Sequence, residues 1–418
     1  MSVKARLFTL TLLCLCLPAG AQQLSPTPQQ LGSIYYAYPA PSCAPSPVPE
    51  GFTPVYISHY GRHGSRWMTD DSRYLEVVQL FDSLASARQL TALGQDVRQR
   101  LHRVWEDARG RSGNITPLGE RQQRDIAGRM VASCPTLFAD SAVIDARSST
   151  SLRCAISMSY FTERIKEFNP RLRVSRRAYG QYMEYIAHTS PQAEAFTADT
   201  ASWRTALRAF ESRMVRPQRL LSSLFLCADR FTPAQADALV RGLYWIAADM
   251  QNVELKGVSF YDLFTPNELM GLWRTVNARM YVCNAAAPQN GGLMPRQAVP
   301  LLRHILSDAD AALCDGTVAA HLRFGHDTHL IRLLALMQVE GCAAQEADYD
   351  RFHLAWQDYR ISPMSANLQI RFFRHSGGDV WVLLLLNERE ATLPIPSVQG
   401  PYYRWTDVRA FWEKACQQ

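Results

Sequence analysis

Arg62, His63 and Arg66 crowd into five positions of the stretch SHYGRHGSRWMT, residues 58–69. Like charges this close repel one another, so the cluster makes sense around an anion. The planar N–H fork of arginine matches phosphate oxygens, and several arginines can hold a dianion from different sides. A histidine among them has its charged form disfavoured, which leaves a neutral imidazole with a nucleophilic nitrogen. Gly64 is expected to let the backbone pass close to the anion. Two further stretches carry groups of the same kind. Arg147 ends an apolar run in SAVIDARSSTSLRC, and His326 and Asp327 follow another in AAHLRFGHDT. With Arg147 as a third clamp and Asp327 protonating a leaving alkoxide, the set amounts to hydrolysis of a phosphate monoester without metal or cofactor.

Each piece sits at the end of a strand-like run. TPVYI (53–57) precedes the first, AVI (142–144) the second, and a strand feeding a helix around 325–328 carries the third. In open α/β sheets ligands bind outside the carboxyl ends of the strands, so the three pieces can converge. Leu93, Val97, Leu101 and Val104 recur at helical spacing. Thr116 and Pro117 read as the N-cap and first residue of another helix. ANLQIRFFRHSGGDVWVLLLLNE reads as two strands around Gly377 and Gly378. From about 170 to 300 the pattern is mostly helical. The expected fold is α/β: a doubly wound, mostly parallel sheet built from 51–170 and 301–418, interrupted by a helical cap at 171–300. Residues 22–50, rich in Pro, Ser and Gln, read as an extended lead-in over the surface.

Residues 1–21 have the layout of a secretory signal: Lys4 and Arg6, an apolar stretch, then Ala19-Gly20-Ala21 with cleavage expected after Ala21. This predicts a periplasmic or secreted protein. Losing Lys4 and Arg6 lowers the formal net charge from +6 to +4, too weak an excess for coating nucleic acid. The longest later apolar run, VWVLLLL at 380–386, is strand-sized, so no membrane association is expected after the signal. The eight remaining cysteines permit disulfides, Cys314 with Cys342 among them, and contain no CxxC.

RHGSR (62–66) and GHDT (325–328) resemble the two signatures of the histidine acid phosphatases, in the second branch of the histidine phosphatase superfamily. ITPLGERQQ, ARSSTSLRCAISM, SANLQIRFF and LLLLNERE are similar to the multiple inositol polyphosphate phosphatases, especially bacterial members with phytase activity. The similarity runs from about 50 to 415 and is weakest in the helical insertion. It implies that His63 is phosphorylated, that Arg62, Arg66, Arg147 and His326 hold the phosphate, and that Asp327 donates the proton and then helps activate water. It also implies an inositol polyphosphate such as phytate as the small-molecule partner. The chain has His326-Asp327-Thr328 where that branch commonly has His-Ala-Glu, and Met68 where the wider family often has proline.

Arg173, Arg176 and Arg177 follow a helix at the entrance to the insertion and are candidates for the outer phosphates of such a substrate. Other readings stay open: a broad-specificity acid or sugar phosphatase, or a periplasmic binder of phosphorylated ligands without turnover. The binder needs neither a nucleophile nor an acid, so His63 together with Asp327 counts against it. A metal site at His326, Asp327 and His329 has no nearby further ligand, and His329 reads as a helix-surface or supporting residue.

Overall fold

The computed structural model describes residues 25–417, so the expected signal at 1–21 lies outside the described residues. An eight-stranded sheet forms the centre, in the order β3-β2-β4-β1-β5-β6-β7, with β8 also paired to β6. The strands are β1 (Phe52–Arg62), β2 (Val143–Ser148), β3 (Arg173–Arg177), β4 (Ala320–Gly325), β5 (Asn367–His375), β6 (Val380–Leu386), β7 (Arg389–Glu390) and β8 (Tyr402–Arg404). Pairing is parallel across β3, β2, β4 and β1, and antiparallel from β1 onwards through the β5–β6 hairpin. Gly378 turns that hairpin at φ 100°, a conformation suited to glycine.

Helices cover both faces, as expected for a doubly wound α/β fold. On one face α3 (Pro117–Ser133) and α4 (Leu152–Phe168) bury Ile126, Met130, Phe161 and Ile165 against Ile57, Ile144, Leu322 and Phe324. Thr116 caps α3 by accepting the Gly119 N–H, with Pro117 at the first helical position. The other face is packed by α7 (Val299–Asp315), α8 (Asp327–Leu336) and α9 (Trp405–Ala415), through residues such as Leu302, Leu333 and Trp412.

The helical layer is assembled differently from the sequence expectation. A second apolar core joins α1 (Ser72–Ser86) and α2 (Ala92–Ala108), which come from within 51–170, to α5 (Pro233–Val253) and α6 (Pro266–Asn284). The boundary at 170 also falls short of β3, whose short polar sequence RVSRR hides a strand that pairs with β2. Residues 22–50 depart from a purely surface lead-in. Gln30–Tyr35 forms a turn of 3-10 helix in which Leu31, Gly32, Ser33 and Tyr35 are buried, joining that second core.

All eight described cysteines are unpaired. The expected Cys314–Cys342 bridge is absent because Cys342 is buried in the core while Cys314 is exposed near the end of α7. No helix among the described residues is long and apolar enough to cross a membrane.

Candidate active site

Three carboxyl ends of the parallel strands meet around His63. Register pairs Arg62 with Gly325, so His63 after β1 and His326 after β4 emerge side by side. The His63 N–H donates to the Gly325 carbonyl at 3.1 Å, and the two imidazole rings stand edge to face with centroids 5.7 Å apart. The His63 Nδ1 lies 2.9 Å from the Gly64 carbonyl, which can only accept. Nδ1 therefore carries the proton and Nε2 keeps its lone pair. Burial, then the charges of Arg62, Arg66 and Arg153, hold this ring well below the ordinary histidine value, so it is neutral around neutrality.

Arg62 is fully buried and directs Nη1 to the carbonyls of Ile34 at 2.7 Å and Ser362 at 2.8 Å. Its Nη2 lies 3.3 Å from Asp327 Oδ2. Arg66 donates to the Trp67 carbonyl at 2.9 Å and to the Tyr35 hydroxyl at 3.2 Å, and stacks 5.1 Å over the Tyr35 ring. Nε and Nη2 of Arg62, Nε of Arg66 and Nε of Arg153 have no hydrogen-bond partner among the described residues. Buried donors without partners are costly, and an anion would satisfy them.

The third arginine at this cluster is Arg153, not Arg147. Arg153, in the first turn of α4, reaches His326 Nδ1 with Nη2 at 3.4 Å. Strand alternation puts Arg147 on the same sheet face as Asp145. There its guanidinium is held by Asp145 at 2.7 Å, by Asp308 at 3.3 Å and by the Tyr185 hydroxyl at 3.3 Å. Two carboxylates thus neutralise it away from His63. Both arginines lie in one stretch, ARSSTSLRC, and helix-start spacing after Ser151 is the signal that could have selected Arg153.

The three candidates for outer phosphates are not brought to the cluster. Arg173 Nε donates to the Ser141 carbonyl, Arg176 to Thr162, and Arg177 to Asp145. All lie in β3 at the sheet edge, where their own sheet and α4 absorb their donors.

His326 is pushed down to about 4, by burial first and then by Arg153. A guanidinium only donates, so its contact assigns Nδ1 as acceptor and the proton to Nε2, which faces Ser149 Oγ at 3.3 Å. Asp327 opens α8, with Oδ1 accepting the Thr328 N–H at 2.9 Å. Burial works to raise its carboxyl, yet Arg62, His326, the Thr328 N–H and Arg66 outweigh it and hold it below the usual carboxylate range. His329 is buried in α8, which rules out the helix-surface alternative and leaves that of a supporting residue.

Gly64 answers to a different neighbour than expected. A Cβ there would lie 2.6 Å from the Gly119 carbonyl oxygen, and one at Gly119 would lie 2.1 Å from the Ser65 oxygen. The two glycines let the histidine loop cross the first turn of α3. The next turn then fastens the loop: Gln122 accepts the Ser65 N–H at 3.0 Å, and Gln123 donates to the Arg62 carbonyl at 3.1 Å. Ser157 of α4 accepts the Gly64 N–H at 3.0 Å.

This sheet, with its two-sided helical cover and the cluster at its parallel strand ends, is the fold of the histidine acid phosphatases. In particular, the chain is similar to the multiple inositol polyphosphate phosphatase of Bifidobacterium longum, solved with inositol hexasulfate: TM-score 0.77, 18% identity, 91% of this chain and 97% of that one. The phytase of D. castellii matches with TM-score 0.69 and 17% identity, over 93% of this chain and 85% of that one. Hafnia alvei phytase matches at 0.51 and 14%, over 89% and 100%. No protein-family model and no curated protein sequence matches the chain.

Proposed function

We propose that this protein is a metal-independent phosphomonoesterase acting on inositol polyphosphates such as phytate through a phosphohistidine. The observation that carries the reading is His63 itself: a neutral imidazole, Nδ1 tied to the Gly64 carbonyl, beside the buried Arg62 and Arg66 and the half-buried Arg153, each with an Nε that makes no hydrogen bond among the described residues. In this reading Arg62, Arg66 and Arg153 take the phosphate oxygens, with His326 beside them. Nε2 of His63 attacks phosphorus as the ester P–O bond breaks, and Asp327 passes its proton to the departing alkoxide. Water then attacks the phosphohistidine. Its proton goes to Asp327, the N–P bond breaks, and inorganic phosphate leaves.

Asp327 must be protonated for the first step. A phosphate dianion among the arginines cancels the positive field that holds the carboxyl down, so substrate itself raises the acid into its working form. This coupling favours turnover on the acid side of neutrality. The substrate class is supported by the neighbours, one of them holding inositol hexasulfate, rather than by the β3 arginines. Export to the periplasm or beyond is part of the proposal and rests on residues 1–21.

The test is phosphate release from phytate, glucose 1-phosphate and an aryl phosphate, with and without chelator, from acid to neutral pH. Phytate preferred and chelator harmless is the expected result. Aryl phosphate preferred with phytate poor would overturn the substrate, and no release from any would overturn the enzyme.

A further inference from the structure

Arg62 has five N–H donors, and two are spent on Nη1, one to the Ile34 carbonyl and one to the Ser362 carbonyl. The remaining three, on Nε and Nη2, make no hydrogen bond among the described residues, with Nη2 in an ion pair 3.3 Å from Asp327 Oδ2. The orientation of the guanidinium is therefore set by two carbonyls from segments more than three hundred residues apart in the chain.

Two hydrogen bonds tie those segments together: the Met364 N–H donates to the Tyr36 carbonyl at 2.8 Å, and a second bond joins two buried side chains. The Ser33 hydroxyl, immediately before Ile34, donates to Asp358 Oδ2, four residues before Ser362. Both residues are completely buried. Asp358 is in turn fixed by the Trp273 Nε1–H at 2.9 Å and the Tyr359 N–H at 2.8 Å, while its own N–H donates to Asn277 at 2.9 Å. Ser33 adopts φ 60°, ψ −136°, a backbone state that suits glycine, in the middle of the 3-10 turn. A strained residue persists where its surroundings over-determine it, and such residues gather at functional sites. Here the kink aims the next carbonyl at Arg62. The same segment carries Tyr35, which receives Arg66 on its hydroxyl and ring.

We propose that Ser33 and Asp358 are positioning residues of the phosphate clamp: their hydrogen bond locks the two carbonyls that turn Nε and Nη2 of Arg62 toward the anion. The inference rests on the phosphatase reading above and adds a residue pair to it. Neither touches substrate; both act through Arg62.

Ser33→Gly tests this directly, because glycine keeps the positive-φ backbone and removes the hydroxymethyl group that makes the bond. The expected result is a thermal midpoint lowered no further than in Tyr244→Phe, with about a tenfold loss in kcat/KM for an aryl phosphate, carried by kcat more than KM, and a parallel loss in orthovanadate affinity. Asp358→Asn keeps an acceptor for Trp273 and Tyr359 and can meet Ser33 with its amide, so it should retain most of the turnover. Tyr244→Phe is the control. It removes another anchor of this segment, the bond to the Leu31 carbonyl at 2.7 Å, and should lower the midpoint while vanadate affinity stays as in wild type. Wild-type turnover and vanadate binding in Ser33→Gly would overturn the inference, as would an equal loss of affinity in Tyr244→Phe. A wild-type chain with neither turnover nor vanadate binding would remove the phosphatase reading and the inference with it.

Discussion

His63 and His326 stand edge to face at a centroid separation of 5.7 Å because β1 and β4 pair in parallel with Arg62 opposite Gly325. Each ring is held neutral by burial and by nearby arginines. One keeps a free Nε2 beside the clamp, and the other carries the residue that neighbours Asp327. The pairing of two strands thus brings His63 and Asp327, the proposed nucleophile and acid, to one site, from which the following outcomes are expected.

His63→Ala should abolish turnover and any acid-labile phosphoenzyme, measured by quenching with radiolabelled substrate. Asp327→Asn should leave phosphate binding in place but lose far more rate on phytate than on an aryl phosphate with a good leaving group. Equal losses on both substrates would remove the proton-donor role.

The pH dependence of kcat follows from the same pair. Asp327 is held down in the free protein and must be protonated in the complex, so kcat should fall as pH rises past the point where the carboxyl ionises with substrate bound. His326 gains a proton near pH 4, which sets a lower limb. In Asp327→Asn the alkaline limb should vanish while the lower one stays.

Arg153 and Arg147 should separate cleanly. Arg153→Ala removes a donor set at the reacting phosphate and is expected to cost roughly 10²–10³ in kcat. Arg147→Ala should leave kcat within a few-fold and lower stability by about 1–2 kcal/mol, since Asp145 and Asp308 lose a half-buried partner. Steady-state kinetics beside urea denaturation distinguishes the two.

Gly64→Ala and Gly119→Ala each force a methyl into opposing backbone, with approaches of 2.6 Å and 2.1 Å. Destabilisation of about 1–3 kcal/mol or more is expected, with loss of activity as the histidine loop lifts from α3. A denaturation midpoint equal to wild type would contradict that crossing.

Asp249, buried in α5 against the Tyr74 hydroxyl, is raised by burial to about 7. Between its unfolded value near 4 and that figure the native state holds the extra proton, so its contribution to stability is present at acid pH and lost as pH rises through about 7. Wild type should therefore lose more stability from pH 5 to pH 8 than Asp249→Asn, compared by denaturation midpoints.

The sequence by itself determined the proposed reacting groups and the frame that presents them. Arg62, His63, His326 and Asp327 each sit within two residues of the end of a strand, and a run of alternating or continuous apolar residues marks where such an end falls. The Thr116 cap and the β5–β6 hairpin were legible for the same reason: their signals are local in the chain. Only the tertiary structure decided between Arg147 and Arg153, because the choice turns on Asp308, which lies 161 positions from Arg147 and neutralises it. Only it drew residues 30–36 into the clamp, through a serine and an aspartate 325 positions apart. Periodicity reports which face of an element is buried. Which distant carboxylate or carbonyl meets a given arginine there is settled when the elements pack, and no local pattern records it.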